Sequence, residues 1–264
     1  MDKLQAAIAQ ARQQRTAGIA PGIRRPADKT QAWDALASFT PDPKHLERNR
    51  IAVNTRGPAR AALDLLRTRL LELAQKNSWK RVMITSPTPG CGKTTVSAGL
   101  ALAIQRQVER RSVLMDLDQP RSGLGRALGL RPEHDVTELL SGAVTAAEQM
   151  YRIGGNLAVS ASAKGHNRDS ELLKSSRARD CIDEIERTFA PDIMLFDAPP
   201  FFVSDDAMAA AHLMDCVIIV GAAEQTTIAE IDATERELSQ HCNIAGVVLN
   251  KCRFGIEHSN YDYH

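Results

Sequence analysis

Residues 86–95 read Ser-Pro-Thr-Pro-Gly-Cys-Gly-Lys-Thr-Thr, directly after the apolar run 81–85 and directly before a stretch of helical pattern. A strand, a glycine-rich loop and a helix in that order make an anion site. The helix start presents free N–H groups and the positive end of its dipole. Gly90 and Gly92 let the backbone curl until those N–H groups converge on phosphate oxygens. Lys93 would reach the β and γ phosphates and Thr94 would ligate magnesium, with Pro89, Cys91 and Thr95 completing the loop. The chemistry implied is binding of a nucleoside triphosphate, ATP with Mg2+, over residues 89–95. The strict GxxxxGK[ST] pattern fails by one residue, because Pro87 stands at its first glycine.

Two further runs end in carboxylates. In Val113-Leu-Met-Asp116-Leu-Asp118 the two aspartates lie two apart and share a face. Ile193-Met-Leu-Phe-Asp197-Ala-Pro-Pro closes in the same way. Carboxylates at strand ends beside a phosphate loop can hold magnesium or its waters, orient an attacking group and accept its proton. Taken singly, each reads equally well as a turn-initiating aspartate.

The elements that must position these residues emerge from periodicity. Strand-like runs at 82–85, 113–115, 157–159, 193–196, 217–220 and 245–249 alternate with helical patterns at 59–74, 93–106, 170–189, 205–213 and 227–241. That alternation predicts an α/β fold, a P-loop NTPase-like and mostly parallel sheet with helices on both faces. Ligands of such sheets bind beyond the carboxyl ends of the strands. Residues 1–50 read as a flexible N-terminal segment, 51–253 as the nucleotide domain and 254–264 as a tail. Within 1–50, residues 3–15 carry a thin apolar stripe at Leu4, Ile8 and Ala11, and Pro21, Pro26, Pro41 and Pro43 break up residues 16–50. An amphipathic docking helix and an exposed helix of no special role fit this stripe equally. Trp33 and Trp79 read as packing residues.

Bulk properties narrow the class. A formal net charge of +1 gives no sign of a nucleic-acid partner. The five cysteines are scattered and never spaced CxxC, which points to a reducing cytoplasm without disulfides or zinc. No secretory leader opens the sequence, and the most apolar stretch, 216–220, is too short to span a bilayer. Membrane association is therefore expected only through a partner.

With the loop, the Asp116/Asp118 strand and the Asp197-Ala-Pro-Pro strand in place, the chain resembles the bacterial tyrosine kinases (BY-kinases) in their Walker A, Walker A′ and Walker B elements. Gly129-Leu130, residues 137–142, Asn156-Leu157, residues 170–173 and 217–220, and Gly246-Val-Val-Leu-Asn-Lys251 have counterparts at similar intervals. The resemblance covers about residues 55–253, and that family also lacks the first loop glycine. It implies a cytoplasmic protein-tyrosine autokinase of exopolysaccharide or capsule synthesis that regulates chain length. Lys93, Asp116 and Asp118 would be catalytic, and Thr94, Asp116 and Asp197 would serve the metal. Asn250 would read the adenine edge, with a simple turn residue as the alternative. The phosphoacceptors would be Tyr261 and Tyr263, two of only three tyrosines, with Asp116 or Asp118 as the base. A separate transmembrane chain-length protein of the Wzz type is the implied partner, recruiting the chain to the inner face of the plasma membrane.

Three departures leave a second reading open. The oligomerisation motif Glu-x-x-Arg-x-x-Arg-Thr keeps only Arg67 and Thr68, so a homo-oligomer would have only part of the residue set for the usual salt bridges. Pro120 replaces a favoured arginine, and the tyrosine cluster is short. An ATP-binding or ATPase regulatory module with little kinase activity fits these departures. A positioning ATPase of the same superfamily fits worse, because its additional lysine, five residues before Lys93, is Thr88 here.

Overall fold

Short runs of Val, Ile, Leu and Met, bounded by proline, glycine or aspartate, are too brief for helices and too apolar for one-sided strands. In the computed structural model, which describes residues 27–51, 57–119, 121–162 and 170–252, they form the middle of a sheet. The chain begins with α1 (Ala27–Asp34), β1 (Ala37–Phe39), α2 (Pro43–Arg48), α3 (Pro58–Asn77), β2 (Arg81–Thr85), α4 (Lys93–Gln105) and β3 (Ser112–Asp116). It continues through α5 (Gly123–Leu128), α6 (Val136–Ser141), α7 (Ala146–Gln149), β4 (Tyr151–Ile153), β5 (Leu157–Ser160), α8 (Ser170–Lys174) and α9 (Ser176–Phe189). It ends with β6 (Ile193–Asp197), α10 (Asp206–Ala211), β7 (Cys216–Ala222), α11 (Ile228–Leu238) and β8 (Asn243–Asn250). The expected helix at 3–15, Pro120, Tyr261 and Tyr263 lie outside the described residues.

The eight strands run in the order β1-β4-β5-β3-β6-β2-β7-β8, and every pairing is parallel except β4 with β5. Helices α3, α4 and α5 bury Leu70, Leu100, Ile104 and Leu128 on one face. On the other face α6, α9, α10 and α11 bury Leu139, Ile182, Ala210 and Leu238. The register then places the chemistry. Ile84 of β2 and Asp116 of β3 both pair with Asp197 of β6, so the carboxylates and the phosphate loop leave the sheet at one level.

Residues 27–51 correct the expected boundary at residue 50. They are folded onto the nucleotide domain rather than forming part of a flexible segment. Trp33 is 1% exposed, meets Phe189 edge-to-face at 5.7 Å and donates its indole N–H to the Phe189 carbonyl at 2.8 Å. The Arg111 guanidinium lies 5.1 Å from the same ring. β1 adds a parallel edge strand to β4, and Leu46 and Ile51 sink into the core. Elements this short are held by tertiary packing, which leaves little periodic signal in the sequence. Trp33→Ala is accordingly expected to cost about 3–5 kcal/mol of stability. A urea titration reads this directly, and an unchanged midpoint would mean that the tryptophan is not part of the core.

The β4–β5 hairpin is a further addition to the pattern expected from the sequence. Gly154 turns the chain with φ +62°, and a side chain there would collide with Gln105. Asn156 then donates to the carbonyls of Gln105, Gln107 and Arg110 at 2.7–3.0 Å, tying the hairpin to the end of α4. Among the described residues, no helix is long and apolar enough to cross a membrane.

Candidate nucleotide site

The loop between β2 and α4 needs left-handed backbone at two places, and glycine stands at both, Gly90 at φ +84° and Gly92 at φ +90°. Its frame is fixed by neighbours. The Ser86 hydroxyl donates to the Thr88 carbonyl at 2.8 Å, and the Phe201 and Phe202 amides donate to the carbonyls of Ser86 and Pro87. Pro87 is buried here, so the residue that breaks the strict motif serves as packing. The Cys91 thiol is buried and donates to the Thr88 carbonyl at 3.2 Å. Burial would raise its pKa, but hydrogen bonds from Thr226 and Thr88 outweigh it and the thiol is shifted down.

Lys93 opens α4 and turns into the sheet ends. It is 6% exposed, and its Nζ lies 2.6 Å from Asp118 Oδ2 and 3.8 Å from Asp197 Oδ1. Burial would lower the ammonium's pKa, yet Asp197 and Asp118 more than reverse this and it is raised. Lys93 is thus held as a cation at the point where phosphate charge would lie.

The three carboxylates are held differently. Asp116 is fully buried and accepts the Asp118 amide at 3.0 Å and the Leu124 amide at 3.2 Å. Burial first, and the neighbouring Asp197 charge second, push its pKa well above the usual carboxylate range despite Lys93. A carboxylate with a raised pKa is better matched to accepting a proton near neutrality. Asp197 is also fully buried and raised by burial, and its Oδ1 accepts from Ser97 at 3.1 Å. Its Oδ2 is buried without a hydrogen-bond partner. Thr94 stands beside it, close enough for its side chain to draw the Asp197 pKa back down. A buried carboxylate oxygen with no partner, next to a threonine hydroxyl at the head of a phosphate loop, suits a hard divalent cation with oxygen ligands such as Mg2+.

The structure therefore brings Lys93, Thr94, Asp116, Asp118 and Asp197 to one point. Asn250, at the end of β8, donates from Nδ2 to the Cys91 carbonyl at 2.9 Å, flanking the loop from the far side of β7. Thr88 stays within its own loop through the Ser86 and Cys91 contacts. Arg67 bonds Asp64 at 3.0 Å and the Ala103 carbonyl at 3.1 Å, so the surviving arginine of the oligomerisation motif is engaged within the chain.

Several supporting residues carry no motif of their own in the sequence. Ser97 stands four residues after Lys93, one helical turn on, a spacing that could have marked it. Gln119 donates to the Asp116 carbonyl at 2.7 Å and accepts from Ser162, whose oxygen in turn receives the Val136 amide. No sequence spacing signals that network.

With this geometry stands a match of residues 82–261 to the CobQ/CobB/MinD/ParA nucleotide binding domain. The chain belongs to that family. A Ralstonia nicotianae protein named "Putative tyrosine-protein kinase EpsB" is 32% identical over 197 residues, covering 73% of this chain and 26% of that protein. The chain thus spans about a quarter of that relative's length. The kinase domain of Escherichia coli tyrosine kinase ETK superposes with a TM-score of 0.67 at 27% identity, covering 78% of this chain and 81% of that one. The resemblance to the bacterial tyrosine kinases accordingly holds in sequence and in fold. Cobyrinic acid a,c-diamide synthase from Mycobacterium smegmatis, with bound ATP analog and magnesium, shares the fold at 21% identity with a TM-score of 0.51. The match covers 64% of this chain and 72% of that one.

Proposed function

We propose that this nucleotide-binding domain is an ATP-dependent protein-tyrosine autokinase of an exopolysaccharide system, transferring the ATP γ-phosphate to Tyr261 and Tyr263. The observation that carries the reading is the buried Lys93 ammonium, set between Asp118 and Asp197 at the head of a phosphate loop. Mg2+ held by Thr94 and Asp197 would neutralise charge on the β and γ phosphates. Gly90, Gly92 and the start of α4 bind and orient the phosphates, and Lys93 moves from its carboxylates to the phosphate oxygens. Asp116, buried with a raised pKa, is suited to taking the phenolic proton, and Asp118, released by Lys93, orients the hydroxyl. Asn250, fixed against the loop, is positioned for the adenine edge.

The resemblance extends this to regulation of chain length, at the inner membrane face, through a transmembrane Wzz-type partner. The engaged Arg67 favours a second reading, an ATP-gated regulatory module without strong kinase activity, because its Nη1 is already held by Asp64 and the Ala103 carbonyl. Incubation with ATP and Mg2+ followed by phosphotyrosine detection separates the two, and intact ATP binding without any phosphotyrosine selects the module. If the tail carries the acceptors, the double variant Tyr261→Phe/Tyr263→Phe loses the signal entirely. Tyr151, the third tyrosine, is half-buried in β4 and is not expected to replace them.

A further inference from the structure

The face of the sheet opposite α4 carries a second concavity, which shares no lining residue with the phosphate loop. It is a cleft of about 710 Å³ between α1, α6, the turn leading into α7, and α9. Ala35, Leu139 and Ile185 line its apolar part, and Asp180 and Glu184 stand exposed along its rim. Neither acid forms an ion pair among the described residues. α1 is the first described element, and its Ala32, with Ala35 just after it, lines the cleft.

The preceding sequence fits that cleft. Leu4, Ile8 and Ala11 fall at i, i+4 and i+7, the spacing by which an amphipathic helix fills a groove. Arg12 and Arg15 stand four residues after Ile8 and Ala11, which extends the same face with positive charge. We propose that residues 3–15 dock in cis as a helix in this cleft, with Leu4 and Ile8 on the apolar floor and Arg12 and Arg15 facing Asp180 and Glu184. The connecting residues 16–26 reach as far as about 36 Å when extended, enough to cross a cleft that α1 itself lines. A tether of that length also gives an effective concentration on the order of mM, so the chain's own segment outcompetes a second copy at μM protein.

Cys181 provides the readout. It lines the cleft, is half-buried and donates its thiol to the Leu139 carbonyl at 3.3 Å. In the 264-residue chain, iodoacetamide labelling of Cys181, followed by peptide mass spectrometry, is compared with the Leu4→Glu/Ile8→Glu variant. Labelling is expected to be about tenfold faster in the variant and independent of protein concentration. ATP binding should be equal in both, because no lining residue of the cleft belongs to the phosphate loop or to its carboxylates. Equal labelling rates would overturn docking. Protection that disappears on dilution would also overturn it, by assigning the cleft to a second copy.

Discussion

Lys93→Met is expected to lower phosphotransfer by roughly 10^2–10^3-fold or more, since one preorganised positive group is removed from the site of developing charge. The effect should extend to stability. Lys93 is the cation that Asp118 contacts at 2.6 Å and Asp197 at 3.8 Å, and all three groups are buried. Removing one partner of a buried pair costs about 3–5 kcal/mol, because the remaining charge is left without compensation. Proton uptake by the carboxylates limits that loss. Thermal unfolding and ATP titration of the variant measure the two effects separately. A variant as stable as the parent would mean that the ion pairs contribute nothing to the fold, and unchanged phosphotransfer would remove Lys93 from the mechanism.

The second large effect is expected at Gly92. An alanine there would drive its Cβ into the Asn250 side-chain amide, in a backbone conformation with φ +90°. The strain alone is worth about 1–3 kcal/mol. Relief requires either Asn250 to leave the Cys91 carbonyl or the loop to open, and both disturb the phosphate cradle. ATP affinity is therefore expected to fall by at least about tenfold, the factor given by 1.4 kcal/mol. In an Asn250→Ala background the clash is absent and only the backbone strain remains, so Gly92→Ala should cost less ATP affinity there than in the wild type. Wild-type affinity in Gly92→Ala would show that the loop tolerates a side chain and that the cradle is not rigid.

The phosphate-loop end of the molecule is legible in the sequence because its signals are local. Gly90 and Gly92 mark positive φ, and the apolar runs ending at Asp116 and Asp197 mark strand ends. Parallel pairing then brings those ends level without further sequence information. The N-terminal boundary is not legible in the same way. Trp33 reads as a packing residue, but its partner Phe189 is 156 positions away. The edge strand β1 and its neighbour β4 are three residues each, too short to show alternation. The Gly154-Gly155 pair does hold a turn signal for the β4–β5 hairpin, and its meaning depends on recognising a strand of three residues before it. Within the site, Lys93 is expected on phosphate. Its pairing with Asp118 and Asp197 depends on side-chain burial, which one-dimensional spacing does not encode.

Transfer of phosphate to the tail tyrosines is read by site-resolved mass spectrometry of the wild-type protein after incubation with ATP and Mg2+, beside folded Lys93→Met. Phosphate is expected on Tyr261 and Tyr263 in the wild type and on neither in the variant. Absence of phosphotyrosine from a wild type that binds ATP, or equal phosphate in both proteins, would contradict the autokinase assignment.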